Sequence, residues 1–500
     1  MKRYFLAALF LPCFALADVH YTLEPLPAAK SLRVAVQLED AKAIESFRIP
    51  AWTPGMYVLM NYQDKISDIK ATDAEGRPLH IEPVDKRKWV VTNPSKGPVT
   101  FSYRVLGDDG GLGFFGANVR DDKAFVNGAS TFMYVDGRLT ERSTLRLKLP
   151  AGWDVATAMS SQGTEFVAEG YDEFIGPPIQ LGKFVRRNFT VEGIPFEAIY
   201  VAPDNKPRCD VDRETERLRK QSIPTVRMFG GASFKKYLYI IHLAVGDFSG
   251  GLEHRACNVQ AVPNLKPLNL DTLATHEYFH AWNVKQIRPA VLGPFDYTKQ
   301  VRTGNLWFAE GVTDYYAYKH TYASGLFDSD WLLSSLAAQI SDYESGQTRL
   351  TKTVEDSSRE NWENGGFGVG DLSYYTKGLL IGWIFDAEIR KATGGRKSLD
   401  DVMRTLYARC MLPNPGYGED ELIATINTVA GTDLTSLYMD MVRSTKPLPY
   451  DRLQDIGLMV IKPGEVIPGS GSKKANRYSV VRDPEISPET AQRLAGWLAR

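Results

Sequence analysis

Cysteine is scarce in this sequence, with four residues in 500. So few thiols cannot build the dense disulfide frame of small secreted domains, and the fold must rest on apolar cores. No Cys-x-x-Cys pair occurs, which excludes a zinc site made of paired thiolates. Charge of one sign is missing too. With 59 Lys and Arg against 60 Asp and Glu, the formal net charge is -1, without the basic excess that marks nucleic-acid binding. An apolar share of 43% is too high for a disordered chain. Beyond the first 17 residues no run approaches the roughly 18 apolar residues of a membrane-crossing helix, so no membrane span is expected. Solenoid repeats and low-complexity tracts are absent as well. What remains is a globular chain long enough for several domains of about 150 residues.

Residues 1–17 read as a secretory signal peptide. Lys2 and Arg3 form a basic start, Tyr4 to Leu16 is almost wholly apolar, and Ala15-Leu16-Ala17 matches a small-residue cleavage site before Asp18. The alternative is a buried N-terminal helix or a retained anchor. Cleavage would lower the basic count from 59 to 57 against 60 acidic residues, and would leave Cys209, Cys257 and Cys410, enough for one bridge at most. The expected location is therefore periplasmic or secreted. Asn188-Phe189-Thr190 is a glycosylation sequon that matters only in a eukaryotic secretory route.

From Val19 to about Val201 short runs rich in Val, Tyr, Phe and Thr, such as Leu32 to Leu38, Lys88 to Thr92 and Val99 to Val105, read as strands. Turn signals at Asp109-Gly110-Gly111 and Asp136-Gly137 punctuate them. After one more strand, Tyr237 to Leu243, helical periodicity takes over at Asp271 to Val284, Gly304 to Tyr322, Asp328 to Tyr343, Tyr374 to Ala392, Ser398 to Cys410 and Glu419 to Val429. The fold class is thus α+β and multi-domain. Residues 18–200 are expected as a β-rich domain, 201–447 as an α-rich domain, and 448–500 as a short tail ending in a helix capped by Ser487 with Pro488 at its first position.

The informative segment is His276-Glu277-Tyr278-Phe279-His280. On a helix, residues four apart share a face, so His276 and His280 can offer imidazole nitrogens to one zinc ion while Glu277 points at its open position. Histidine makes up only 7 residues of the chain, so this spacing is unlike a chance pairing. A third ligand is needed. Glu310 is the best candidate, because it lies in an apolar helical stretch, LWFAEGVTDYY, where an unpartnered carboxylate would be costly to bury. Asp314, four residues on, can accept the N–H of a zinc-bound histidine or can simply face solvent. His242, in an apolar strand, reads as a core residue, and His20, His80 and His320 have no partner pattern.

HEYFHAWNVKQIRP followed by LWFAEGVTDYY resembles the M61 glycyl aminopeptidase family of zinc peptidases, within the gluzincins. The resemblance runs from the WTPGMY stretch at 52–57 to about Pro447 and includes Gly250-Gly251-Leu252-Glu253-His254 and Tyr374-Tyr375-Thr376-Lys377-Gly378. It implies a saddle-like or sandwich β domain, a thermolysin-like catalytic domain, and one Zn2+ per chain. Glu277 would be the general base, and Tyr375, with Tyr374 as its rival, would donate to the oxyanion. Glu253 would bind the free amine of a peptide substrate, unless it is merely a carboxylate at a strand end. Small N-terminal residues, Gly and Ala, would be preferred. Many relatives continue into a PDZ-like domain, for which 448–500 is too short. Two alternatives stay open: a zinc endopeptidase on the same site, and an inactive peptide-binding scaffold.

Overall fold

The computed structural model describes residues 18–108, 114–244 and 246–499. The leader-like segment and the Asp109-Gly110-Gly111 turn lie outside the described residues.

Alternation builds the N-terminal unit. Val19–Leu26 buries every second side chain, the signature of a strand with one face on a core. It pairs antiparallel with Ser31–Leu38 and parallel with Ser143–Leu147 inside a seven-stranded sheet. A four-stranded sheet containing Ile44–Arg48 and Lys88–Thr92 shares its core, where Phe47 stacks on Phe101 at 4.1 Å.

A separate five-stranded sheet positions the site. Its strands are β1 (Val185–Val191), β2 (Ile194–Val201), β3 (Tyr237–Ala244), β4 (Gly250–Glu253) and β5 (Cys257–Pro263), in the order β1-β2-β3-β5-β4. β3 lies parallel to both β2 and β5 and is buried along its whole length, which is why it reads as an unbroken apolar run. His242 sits in it with Nε2 3.1 Å from Gln180 Oε1, the core residue expected. β4 pairs antiparallel with β5 and forms the sheet's edge. The expected boundary at 200 falls inside this sheet, because β1 and β2 precede it. The change of architecture comes near residue 184.

Helices cover one face of the sheet. α1 (Val211–Phe229), capped by Asp210, was not anticipated from sequence, since Pro224 and many charges interrupt its pattern. α2 (Asp271–Phe279) is shorter than the periodicity to Val284 predicts. The stretch from Gly304 opens as a wide π-turn, Trp307–Gly311, before α3 (Val312–Ala323). α4 (Tyr374–Ala392) runs through the helical core. The tail adds a hairpin, Leu458–Ile461 with Ser479–Arg482, and α5 (Pro488–Trp497). Trp497 is fully buried, stacks 5.9 Å from Trp383, and donates to the Tyr315 hydroxyl at 2.9 Å. Cys209, Cys257 and Cys410 are free and buried. Among the described residues no helix is long and apolar enough to cross a membrane.

Candidate active site

α2 presents His276 and His280 on one face, and the helix ends as soon as both are placed. The Nδ1 atom of His276 lies 2.7 Å from Asp314 Oδ1, and that of His280 lies 2.6 Å from the Asn283 carbonyl oxygen. Both partners are acceptors, so each Nδ1 carries the proton and each Nε2 keeps its lone pair. The two Nε2 atoms converge at 2.9 Å, with Glu310 Oε2 at 3.0 Å from His280 and 3.5 Å from His276. Three buried acceptor atoms facing one another with no hydrogen between them repel unless a cation lies among them. The donor set of two imidazoles and a carboxylate suits zinc.

Electrostatics point the same way. Burial works against charge on His276, yet Asp314 and Glu310 outweigh it and raise its affinity for a proton. His280 is shifted upward too, Glu310 overcoming the cost of burial. Burial raises the Glu310 carboxyl, but the two imidazoles outweigh that and hold it below the ordinary range. The pocket therefore favours positive charge at its centre.

Asn283 ties the two halves of this site together. Its amide donates to the carbonyls of Phe308 at 3.0 Å and Ala309 at 3.3 Å and to the Thr313 hydroxyl oxygen at 3.1 Å, within and just after the π-turn that carries Glu310. Sequence reasoning missed this residue. The only available signal was a polar side chain in the apolar stretch just past the second histidine.

Glu277 projects against β4. A Cβ on Gly251 would lie 2.4 Å from its carboxylate, so only glycine admits Glu277 there. Burial pushes the Glu277 carboxyl up to about 7, against the opposing pull of His276 and His280 and with Glu253 and Glu310 adding to the rise. The glycines of the Tyr-x-Lys-Gly stretch and the π-turn act in a similar way. Gly311 and Gly378 are in backbone contact, a Cβ on Gly378 falling 2.2 Å from the Trp307 carbonyl oxygen. This approach brings the Tyr375 ring to 6.0 Å from the His276 ring. Tyr374 donates its hydroxyl to the Gly366 carbonyl in the interior, while Tyr375 lines a cleft of 540 Å³ with His276, Glu277 and Gly251, rimmed by Phe115, Phe248 and Phe367.

Glu253, at the end of β4, is buried and paired with Lys285 Nζ at 2.9 Å. Gly55, at φ 100°, passes so close that a Cβ would meet Glu253 Oε2 at 2.7 Å. The pairing with Lys285 was not expected from sequence. All seven anticipated residues, His276, Glu277, His280, Glu310, Asp314, Glu253 and Tyr375, thus gather around one end of α2.

Two imidazoles and a carboxylate beside a buried glutamate, next to a sheet edge that opens onto a cleft, resemble the donor arrangement of metallopeptidases. The peptidase M61 N-terminal domain matches residues 20–183, and the M61 glycyl aminopeptidase domain matches residues 269–381. The chain belongs to the M61 peptidase family. Its fold is similar to that of an aminopeptidase N family protein from Idiomarina loihiensis, at 27% identity and TM-score 0.83 over 91% of this chain and 81% of that one. An M1 zinc metallopeptidase from Deinococcus radiodurans shares the fold at 15% identity and TM-score 0.53, over 87% of this chain and 95% of that one. No curated protein sequence matches the chain.

Proposed function

We propose that this peptidase is a zinc aminopeptidase that removes small N-terminal residues, Gly or Ala, from peptides outside the cytosol. The observation that carries it is the convergence of three lone-pair donors from His276, His280 and Glu310 next to Glu277. Zinc held there would supply a water acidic enough to ionise near neutral pH. Glu277, buried and wedged against Gly251, is poised to take that water's proton and pass it to the leaving amine. Tyr375 is the better of the two tyrosines to donate to the oxyanion, because its ring faces the cleft while Tyr374 is committed to Gly366. Asp314 and the Asn283 carbonyl hold the imidazoles in the ligating tautomer.

The exopeptidase character rests on Glu253. Its carboxylate stands on the same edge strand as Gly251, two residues away, so a peptide whose scissile bond lies at Glu277 can bring its free ammonium to Glu253. The preference for Gly and Ala is supported by the match to the glycyl aminopeptidase domain. Export is supported by the basic and apolar leader. Metal analysis of the purified chain tests the centre: about one zinc per chain is expected in both the native protein and Glu277→Gln, with peptidase activity lost only in the variant. Absence of zinc, or an active Glu277→Gln, would refute the mechanism.

A further inference from the structure

Glu253 lines a space much smaller than the cleft. Two cavities of 30 and 40 Å³ lie where β4 meets the loop after α2, and both are lined by Arg255 and Lys285. Arg288 lines the first and Asp172 the second. Arg288 is only 9% exposed, and its Nε has no partner. It cannot retreat, because its guanidinium packs on the backbone at Gly293, where a Cβ would fall 2.1 Å from Cζ. Among the described residues neither Arg255 nor Arg288 makes a side-chain hydrogen bond or ion pair. The imidazole Nε2 of buried His254, beside the second cavity, is unpartnered as well.

The nearby carboxylates are already engaged. Glu253 is bound by Lys285, and Asp172 accepts from the Tyr297 hydroxyl at 2.6 Å. Around the first cavity Arg255, Lys285 and Arg288 face the single carboxylate of Glu253, and the buried guanidinium of Arg288 is costly without a counterion. Each cavity exceeds the roughly 10–15 Å³ that one water requires.

We propose that Arg255 and Arg288 bind a monatomic anion, chloride under ordinary conditions, and that this anion keeps the Glu253 carboxylate with Lys285, beside Glu277 and His280. The inference rests on the aminopeptidase reading for its effect but not for the site itself. With the anion bound, the guanidiniums are satisfied and Glu253 stays with Lys285. Without it, the two arginines compete for the Glu253 carboxylate and draw it from the ammonium of the substrate. The anion acts on binding of the free amine and leaves the chemistry at Glu277 alone.

The test compares the zinc-loaded enzyme in sodium chloride and in sodium gluconate at equal ionic strength, with thermal unfolding followed in both salts and crystals soaked in bromide. An anomalous peak between Arg255 and Arg288 is expected, together with a higher Tm in chloride and a KM for free-amine peptides lower by about fivefold or more at similar kcat. Arg288→Gln should lose the salt response, and Arg288→Lys, which keeps the charge, should regain part of it. Equal Tm and KM in the two salts with no bromide at this place would overturn the proposal, as would an undiminished chloride response in a folded Arg288→Gln. Should no free-amine peptide be cleaved in any salt, the aminopeptidase reading fails, and the bromide peak and thermal shift still decide the anion site.

Discussion

Asn283 holds His280 through its main-chain carbonyl and the Glu310 turn through its side chain. Replacing it with Ala should weaken zinc binding by about 10- to 100-fold, read by competition with a chromogenic chelator, while the chain stays folded. Gly251 is the complementary case. A methyl group there must displace the Glu277 carboxylate, so Gly251→Ala should lower kcat by about 100-fold with zinc content unchanged. His276, His280 and Glu277 were legible because helical spacing puts the two imidazoles on one face with Glu277 beside them, and Glu310 because a carboxylate in an apolar stretch is costly to bury without a partner, with Asp314 four residues on. Asn283, the Lys285 partner of Glu253 and the clearance at Gly251 were not. Each depends on how close two distant segments come, which no local pattern encodes.

At the level of elements, the wide turn at Trp307–Gly311 and the glycine contact between Gly311 and Gly378 set where Glu310 and Tyr375 stand. A 3.6-residue period predicts a plain helix there, and the π-turn is visible only once α4 is packed against it. α1 escaped notice because its apolar stripe is interrupted by Pro224. The strands Leu32 to Leu38, Lys88 to Thr92, Val99 to Val105 and Tyr237 to Leu243, and the start of the tail helix at its Ser-Pro cap, were read close to their observed bounds. Within α4, Lys377 is fully buried, its Nζ has no hydrogen-bond partner, and burial lowers its affinity for a proton to about 8 from an ordinary 10.5. The unfolded chain keeps that proton up to about 10.5. Between the two values the unfolded state binds more protons, so stability rises with pH from about 8 to about 10.5. Lys377→Met should flatten that rise and stabilise the protein at pH 7 by about 1–3 kcal/mol, measured by urea unfolding across the pH range.

Across the whole molecule, three parts of the chain meet at the site: the loop after Ile44–Arg48 supplies Gly55 beside Glu253, the five-stranded sheet supplies β4, and the helices supply His276, His280 and Glu310. The tail is part of that helical unit, since Trp497 packs on Trp383 and bonds Tyr315. Trp497→Ala should cost about 3–5 kcal/mol in unfolding experiments, whereas a loosely attached tail would leave stability unchanged. The near-neutral balance of 59 basic and 60 acidic residues says nothing of function, because the working charges are a few carboxylates and imidazoles gathered at one end of α2. The most direct test of the central claim is hydrolysis of one alanyl tetrapeptide with a free and an acetylated N-terminus, before and after chelation and zinc restoration. Cleavage of the free peptide alone, lost with the metal and regained with zinc, is the predicted result; equal cleavage of the acetylated peptide, or activity that survives removal of the metal, would contradict it.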